Sequence, residues 1–240
     1  MTIKEFTDAT QGIGVAIPTA ELERIAAQLE RYRELLLTWN ARFNLTAITD
    51  AHDVLIRHFV DSLTLLKVLP KRPITLLDVG TGPGFPGIPL KLARPDLTVT
   101  VMDSTSKKVR FCAEVIQQLG LTGIRALHGR AEEMAHQSQF REQFDVVTAR
   151  AVAPLTTLVE YLMPFVRPGG LCIAMKGSDA ENEAALAIRA IGVLGGRLSR
   201  VEPVQLPGLP DKRALIVIEK VSATPPLYPR QGGGPRTAPL

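Results

Sequence analysis

The chain has 240 residues, 45% of them hydrophobic and 22% charged, which is typical of a folded globular protein, and no uncharged apolar run approaches the roughly 18 residues needed to span a bilayer. The two cysteines are far apart, the four histidines lack metal-ligand spacing and no secretory signal is recognised, so we expect a cytoplasmic protein without a membrane or metal partner. The net charge is +4, but residues 1–70 carry seven basic and nine acidic side chains and the remainder carries 21 and 15, which allows a polyanionic partner on the C-terminal two thirds.

Two helices are predicted in the N-terminal part of the chain. Apolar residues recur at three- and four-residue steps over residues 19–43, with Thr19 as the expected N-cap. A second helix is predicted over residues 51–68, capped by Asp50. Two prolines then interrupt the chain, and we place a boundary there between an N-terminal helical extension, residues 1–72, and the next domain.

Further along the chain, short β-rich runs alternate with helical ones, which predicts a parallel sheet covered by helices on both faces. The predicted strands, in chain order, are ITLLDV, LTVTVMD, GIRALHG, FDVVTA, LCIAMKG and RALIVIEK. The last of these follows a segment with little helical character and is expected to pair antiparallel. The fold class is therefore α/β, with a doubly wound, mostly parallel sheet over residues 73–220. The proline- and glycine-rich tail, residues 221–240, is expected to be extended or partly disordered.

The segment LLDVGTGPGFPG places four glycines directly after the first predicted strand. Bare backbone lets a ligand approach closely, and ligands bind at the carboxyl ends of strands in doubly wound sheets. Two cofactors are compatible with this segment. GPGFPG matches the dinucleotide motif G-x-G-x-x-G, whereas Asp78 followed by Gly80, Gly82 and Gly84 matches the loop of S-adenosylmethionine (SAM) methyltransferases. Asp103, which ends the next strand, suits the ribose of either cofactor, but the acidic Asp78 favours SAM because the sulfonium and amino group of SAM are cationic.

Two later segments strengthen the methyltransferase interpretation. HGRAEEM ends the third strand with acidic residues, where an adenine amino group would lie, and RPGG forms a tight turn before the fifth strand. Any one of these segments taken alone is compatible with an ordinary loop of an α/β domain. Their occurrence together and in this order favours a SAM-dependent methyltransferase.

Eight segments spread over nearly the whole chain form a more specific pattern. They are WNARFNLTAI, RHFVDSL, DVGTGPGFPGIPL, DSTSKKVRF, GRAEE, TARAVAPL, MKG and YPRQGGGPRTAPL. The pattern resembles the RsmG family, also called glucose-inhibited division protein B, which are bacterial methyltransferases that modify guanine N7 in small-subunit ribosomal RNA. The resemblance implies a Rossmann-like fold with a seven-stranded sheet, SAM as cofactor, and 16S rRNA or the small ribosomal subunit as partner of a monomer. A SAM-dependent methyltransferase that acts on a small molecule is the alternative.

The resemblance assigns eight residues to the cofactor site, namely Gly80, Gly82, Gly84, Phe85, Asp103, Ala131, Glu132 and Arg150. The glycines are expected along the methionine part of SAM, Asp103 at the ribose hydroxyls, and Ala131 with Glu132 at the adenine. Phe85 packs either on the cofactor or in the core. Arg150 binds the cofactor carboxylate or an RNA phosphate, unless it forms only a surface salt bridge.

Five further residues are expected near the substrate, namely Asn44, His58, Asp61, Lys176 and Arg230. On an α-helix, His58 and Asp61 would project away from the apolar face, so the plain interpretation is a solvated pair one turn apart. Asn44 either touches substrate or caps a chain reversal. Lys176 and Arg230 are candidates for RNA phosphate contacts, although each alone is more often an ordinary solvated charge. The other candidates are Lys107, Lys108, Arg110 and Arg236.

Absent motifs restrict the atom that is methylated. The segment after the fourth strand reads ARAVAP in place of the D/N-P-P-Y motif that holds an amino nitrogen. Cys112 and Cys172 lie within a predicted helix and strand, where they suit buried packing, so the thiolate chemistry of pyrimidine C5 methylation is not expected. Guanine N7 has a lone pair and no proton, so its methylation requires positioning and no catalytic base.

Overall fold

The computed structural model describes residues 2–240, and seven strands within this range form one sheet in the order β3-β2-β1-β4-β5-β7-β6. The first five strands are parallel, and β7 runs antiparallel to both of its neighbours. This arrangement confirms the predicted fold class and the antiparallel pairing of RALIVIEK. The strands are β1 (Thr75–Val79), β2 (Thr98–Asp103), β3 (Ile124–His128), β4 (Phe144–Arg150), β5 (Val166–Lys176), β6 (Gly196–Gln205) and β7 (Lys212–Lys220).

Helices cover both faces of the sheet, and none of those described is long and apolar enough to cross a membrane. The α-helices are α1 (Ile3–Gly12), α2 (Thr19–Phe43), α3 (Ala51–Val54), α4 (Asp61–Leu63), α5 (Gly87–Ala93), α6 (Ser106–Gln118), α7 (Ala131–Met134), α8 (Leu155–Leu162), α9 (Ala180–Leu186), α10 (Ile188–Val193) and α11 (Gly234–Thr237). The predicted helix over residues 19–43 is confirmed, but its N-cap is Pro18, and Thr19 is the first helical residue.

Two parts of the sheet differ from the sequence-based prediction. The strand β6 was not predicted, because GRLSRVEPVQ carries charges and a proline and lies at the edge of the sheet, paired only with β7. RPGG was expected as a turn before the fifth strand. It lies inside β5, where the pairing register with β4 is irregular and Gly169 takes a φ of 79°.

The N-terminal helices and the sheet share one hydrophobic core. Leu29 and Tyr32 of α2 and Phe59 belong to the same buried cluster as Leu76 of β1 and Val99 of β2. The helix α1, which was not predicted, begins with a capping box between Thr2 and Glu5 and buries its Phe6 side chain completely in this cluster. The division of the chain at residues 72 and 220 stays a prediction.

The predicted helix over residues 51–68 is a helical path from Ala51 to Lys67 with a π-helical segment, Leu55–Val60, in its middle. Asp50 caps its start through the main-chain N–H groups of His52 and Asp53 at 2.9 and 3.0 Å, as predicted. The π-helical turn contains more residues than an α-helical one, so an angle of 100° per residue misplaces the side chains that follow. The expectation that His58 and Asp61 point into solvent was therefore wrong, because both are buried.

The C-terminal tail was expected to be extended or partly disordered. It has no described helix or strand before α11, but hydrogen bonds hold it against the rest of the protein, so only the expectation of disorder was wrong. Arg141 donates hydrogen bonds to the carbonyl oxygens of Thr224 and Tyr228 at 2.8 and 2.9 Å. Arg230 binds the buried carboxylate of Glu160 in α8 with two nitrogens, at 2.9 and 2.6 Å. A proline-rich composition excludes long helices and strands, so it leaves carbonyl oxygens of the tail available to donors elsewhere in the protein. Arg141, outside the tail, binds several of these oxygens.

Candidate cofactor and substrate sites

A cavity lies at the carboxyl edge of the sheet, beside the glycine-rich segment after β1. The ends of three strands, the start of α7, Tyr161 of α8 and the tail all contribute to it. Its lining residues are Val79, Gly80, Met102, Asp103, Ser104, Gly129, Arg130, Ala131, Glu132, Val152, Tyr161, Gly233 and Arg236. Gly80, Asp103, Ala131 and Glu132 of the sequence-based cofactor set therefore meet in one place.

The glycines of the segment after β1 have different roles. Gly82 takes a φ of 59°, and a Cβ atom there would have no other atom within 4 Å, so its backbone faces open space. Gly84 takes a φ of 99°, and a Cβ atom there would collide with the Tyr32 hydroxyl and the Ile88 side chain. The structure thus explains Gly84 by packing against α2, while Gly82 leaves its backbone accessible to a ligand.

Asp103 organises the cavity from the end of β2. Its Oδ2 atom accepts from the N–H of Gly82 at 3.0 Å, and its Oδ1 atom accepts from the N–H of Thr105 at 2.8 Å. The Nζ atom of Lys108 lies 3.8 Å from the same carboxylate. A carboxylate has about four lone-pair positions, so Asp103 keeps acceptor capacity for the two hydroxyls of a ribose.

Replacement of Asp103 by alanine is expected to weaken SAM binding by roughly ten- to a hundredfold, because a charged acceptor contributes about 1.5–3 kcal/mol. Calorimetric titration measures the effect. Asp96→Ala is the matched control, since Asp96 precedes the opposite end of β2 and pairs with Arg94. Wild-type affinity in the Asp103 variant would remove the ribose assignment.

Asp78 lies beneath the glycine-rich segment. Its Oδ2 atom accepts from Thr81 Oγ1 at 2.6 Å and from the N–H of Gly87 at 2.8 Å, whereas its buried Oδ1 atom has no hydrogen-bond partner. Burial raises the pKa of Asp78 to about 6. A buried acceptor without a donor suits a cationic ligand group, so the residues present fit SAM, whose amino group is cationic.

Phe85 belongs to a buried aromatic cluster. Its side chain is 2% exposed and packs against Tyr32 and Phe59, and the His58 ring stacks on it with centroids 4.4 Å apart. The guanidinium of Arg150 lies 5.2 Å from the Phe85 ring centroid. The Phe85 side chain is thus part of the core, which leaves only its main chain for a cofactor contact.

Arg150, at the end of β4, forms a buried polar cluster with the π-helical segment. Its Nη1 atom donates to Asp61 Oδ2 and to the Arg57 carbonyl oxygen, both at 2.8 Å. Its Nη2 atom lies 3.2 Å from His58 Nδ1. The side chains of Arg150 and Asp61 are 15% and 3% exposed, so this ion pair is not the surface salt bridge of the plain interpretation.

His58 is neutral in this cluster. Burial and the positive charge of Arg150 lower the pKa of His58 to about 3. An arginine only donates, so His58 Nδ1 accepts from it, and His58 Nε2 carries the proton that it donates to Thr46 Oγ1 at 2.9 Å. His58 therefore acts as a fixed hydrogen-bonding group.

Replacement of His58 by asparagine is expected to make the free energy of unfolding less dependent on pH in the acid range. The unfolded chain protonates His58 near pH 6.5, whereas the folded chain keeps it neutral down to about pH 3. The unfolded state thus binds more protons between these values. The free energy of unfolding falls as the pH falls from 6.5 to 3, by up to about 1.4 kcal/mol per pH unit.

Asp78 has the opposite effect on stability between pH 3.8 and about 6, because burial raises its pKa. Asp78 is present in both proteins, so the decisive quantity is the free energy of unfolding of the wild type minus that of His58→Asn. Urea titrations at several pH values measure this difference. It should grow as the pH rises from 4 to 6 and stay level above 7. A difference independent of pH would contradict a buried, neutral His58.

A second cavity adjoins the Arg150 cluster. It is lined by Asp61, Thr64, Arg150, Ala151, Met175, Lys176, Gly177, Val204, Arg213, Ala214 and Leu215. Arg213 Nε is buried there without a hydrogen-bond partner and lies 3.7 Å from Asp61 Oδ1. Sequence reasoning missed Arg213, and the only signal was a basic pair, Lys212 and Arg213, at the start of the apolar strand β7.

The remaining sequence-based substrate residues are dispersed. Asn44 is exposed and ends α2 in the left-handed conformation with a φ of 48°, so it caps the chain reversal. Lys176 donates to the Ala153 carbonyl oxygen and to Glu183 Oε2, both at 2.6 Å, and is 9% exposed. Arg230 likewise binds Glu160. These contacts favour a structural role for Lys176 and Arg230 over phosphate binding.

Of the other basic candidates, Lys107 donates to the Phe43 carbonyl oxygen at 2.8 Å, and Arg110 is exposed. The predicted packing role of the cysteines is confirmed, because Cys112 and Cys172 are both fully buried. Burial raises the pKa of the Cys172 thiol to about 12 and also raises that of Cys112, so neither is a ready nucleophile.

Comparison with known proteins identifies the family. A family model described as GidB, rRNA small subunit methyltransferase G, matches residues 25–213. The chain belongs to the GidB family. This membership confirms the resemblance found in the sequence and the prediction of a methyltransferase.

Curated members of the GidB family are similar over most or all of the chain. A protein of Leuconostoc citreum named ribosomal RNA small subunit methyltransferase G is 44% identical, with all of both chains covered. A protein of the same name from Desulforamulus reducens is 48% identical over 88% of both chains. A SAM-dependent methyltransferase from Aquifex aeolicus has a similar fold, with a TM-score of 0.55 at 19% identity over 72% of this chain and 96% of that one.

Proposed function

We propose that this protein transfers a methyl group from SAM to N7 of a guanine in 16S rRNA, as a monomer in the cytoplasm. Family membership supports the reaction class and the small-subunit rRNA. The observation that carries the proposal is the presence of two cavities at the same edge of the sheet, one beside Asp103 and Glu132 and the other beside Arg150 and Arg213. The first suits the adenosine of SAM and the second suits the target base.

Bound SAM supplies an electrophilic methyl group. The protein's own residues hold the reactants and exclude water. Asp103 fixes the Gly82 backbone at one side, and the pair of Arg150 and Asp61 fixes the end of β4 against the π-helical segment at the other. None of these groups removes a proton, which suits a target with an in-plane lone pair. Positioning of this kind reduces the entropic part of the barrier.

The target base is proposed to enter the cavity beside Arg213. Its Nε–H is an unused donor, which suits an acceptor such as guanine O6. A larger cavity shares Gly177, Val204, Arg213 and Ala214 with this one and adds the side chains of Lys67 and Lys212. Lys212 is exposed, and Lys67 forms a partly exposed ion pair with Glu202 at 3.7 Å. We propose that both lysines contact phosphates beside a base that is flipped into the cavity, a role that requires only positive charge.

Incubation with labelled SAM tests this function. The substrates are small ribosomal subunits and naked 16S rRNA from a strain that lacks this methyltransferase, with a mixture of small metabolites as the third arm. Label in 16S rRNA, released as 7-methylguanine on digestion, is expected. Label only among the metabolites would overturn the proposal, and label in another nucleoside of the rRNA would overturn the N7 target alone.

A further inference from the structure

The C-terminal tail is anchored to the rest of the protein at Arg230 and at Pro235 within its short helix, α11. The guanidinium of Arg230 binds the carboxylate of Glu160, whose side chain is fully buried. The main-chain N–H of Arg230 donates to the same carboxylate at 2.8 Å. Thr157 Oγ1 donates to the carbonyl oxygen of Pro235 at 3.1 Å, and Pro235 is itself buried. Both anchors come from α8, the helix that also carries Tyr161 of the cofactor cavity.

These anchors bring Gly233 and Arg236 to the cofactor cavity, where they line it together with Asp103 and Glu132. Tyr161 of α8 lines the same cavity. Burial and the carboxylate of Glu132 raise the pKa of Tyr161, and the positive charge of Arg236 opposes this rise. Arg236 thus lies where we place the adenosine of SAM, between the end of β2 and the start of α7.

We propose that Arg236 is a cofactor-binding residue whose guanidinium covers the adenosine part of SAM, with Gly233 and its neighbours in the tail as the outer wall of the site. The inference rests on the proposed position of adenosine beside Asp103 and Glu132. It replaces the sequence-based expectation that Arg236 contacts an RNA phosphate.

The chemistry of the cavity favours adenosine over phosphate as the partner of Arg236. A guanidinium is planar and weakly hydrated, and it stacks on flat aromatic rings such as adenine. The carboxylates of Asp103 and Glu132 line the same cavity and would repel a phosphate there, whereas they accept from ribose hydroxyls and an adenine amino group. The neutral adenosine half of SAM suits both kinds of group.

Binding of SAM and of 5′-methylthioadenosine to Arg236→Ala tests the proposal, since the second ligand lacks the amino-acid part. Both affinities are expected to fall by about tenfold, in the same ratio, from the loss of a stacked cation. Arg197→Ala is the control, because Arg197 is an exposed arginine of β6 paired with Glu219, and it should bind both ligands as wild type does. Wild-type affinity of Arg236→Ala for both ligands would overturn the proposal, and so would a loss of RNA affinity with unchanged SAM affinity.

Trypsin provides a second test on the unmodified chain, because it cleaves after arginine and Arg236 is exposed in the structure described here. SAM and 5′-methylthioadenosine should slow cleavage after Arg236, and methionine should not. Equal cleavage rates with and without SAM would overturn the proposal. If the wild-type protein binds no SAM, both the proposed function and this inference fail. If the wild-type protein binds SAM and methylates RNA, and Arg236→Ala changes neither, only this inference is refuted.

Discussion

RNA that carries 7-deazaguanine at the target position is expected to bind this protein with nearly normal affinity and to accept no methyl group. The substitution replaces N7 by C–H, which removes the lone pair with little change in shape. The proposed phosphate contacts of Lys67 and Lys212 do not involve N7, so docking should survive. Filter binding measures the affinity, and transfer of labelled methyl measures the reaction.

The matched control is the same RNA with guanine at that position. Methylation of the deaza RNA at the normal rate would exclude N7 as the target. Single-turnover rates on the control RNA should also show no activating ionisation between about pH 6 and 8, because His58 is neutral throughout this range.

Replacement of Asp61 by alanine is expected to lower the free energy of unfolding by about 3–5 kcal/mol, the typical cost of leaving one member of a buried ion pair without its partner. Arg150 would keep its positive charge at 15% exposure with only the Arg57 carbonyl oxygen and His58 as hydrogen-bond partners, and Arg213 would lose the carboxylate 3.7 Å away. Urea titration measures the change, with denaturation followed by circular dichroism.

Glu34→Ala is the matched control for Asp61→Ala. Glu34 pairs with Arg31 at the surface of α2, with both side chains at least half exposed, so its removal should cost at most about 0.5 kcal/mol. In the double variant Asp61→Ala with Arg150→Met, the loss should be clearly smaller than the sum of the two single losses. Additive losses would show that the two charges do not interact in the folded protein.

The sequence brings several residues of the candidate cofactor cavity together, because their positions depend on local patterns. Asp78 lies near the end of a buried strand, Gly82 follows that strand at fixed spacing, and Asp103 ends the next strand. Parallel pairing of β1 with β2 brings these positions to the same edge of the sheet without any knowledge of packing. The open backbone at Gly82 and the contact of Asp103 with it follow from the strand order alone.

Two features of the candidate sites are not revealed by the sequence, one on the substrate side and one at the cofactor cavity. A π-helical segment rotates His58 and Asp61 into the core, and its hydrogen-bond pattern follows from packing against Phe85 and Arg150 rather than from local propensity. The tail has the composition of a disordered segment. Its Arg230 nevertheless binds the buried carboxylate of Glu160, which lies 70 positions earlier in the sequence. Long-range contacts of this kind have no signature in a window of sequence.

Tyr32 of α2 contacts the glycine-rich segment that follows β1. Its hydroxyl donates to the carbonyl oxygen of Pro83, between Gly82 and Gly84, and its ring stacks on Phe85. Any opened state in which α2 leaves the sheet therefore loses the support of the segment that is proposed to contact SAM. Docking of α2 and occupancy of the cofactor site are thus linked equilibria, and thermodynamic reciprocity requires each to strengthen the other by the same factor.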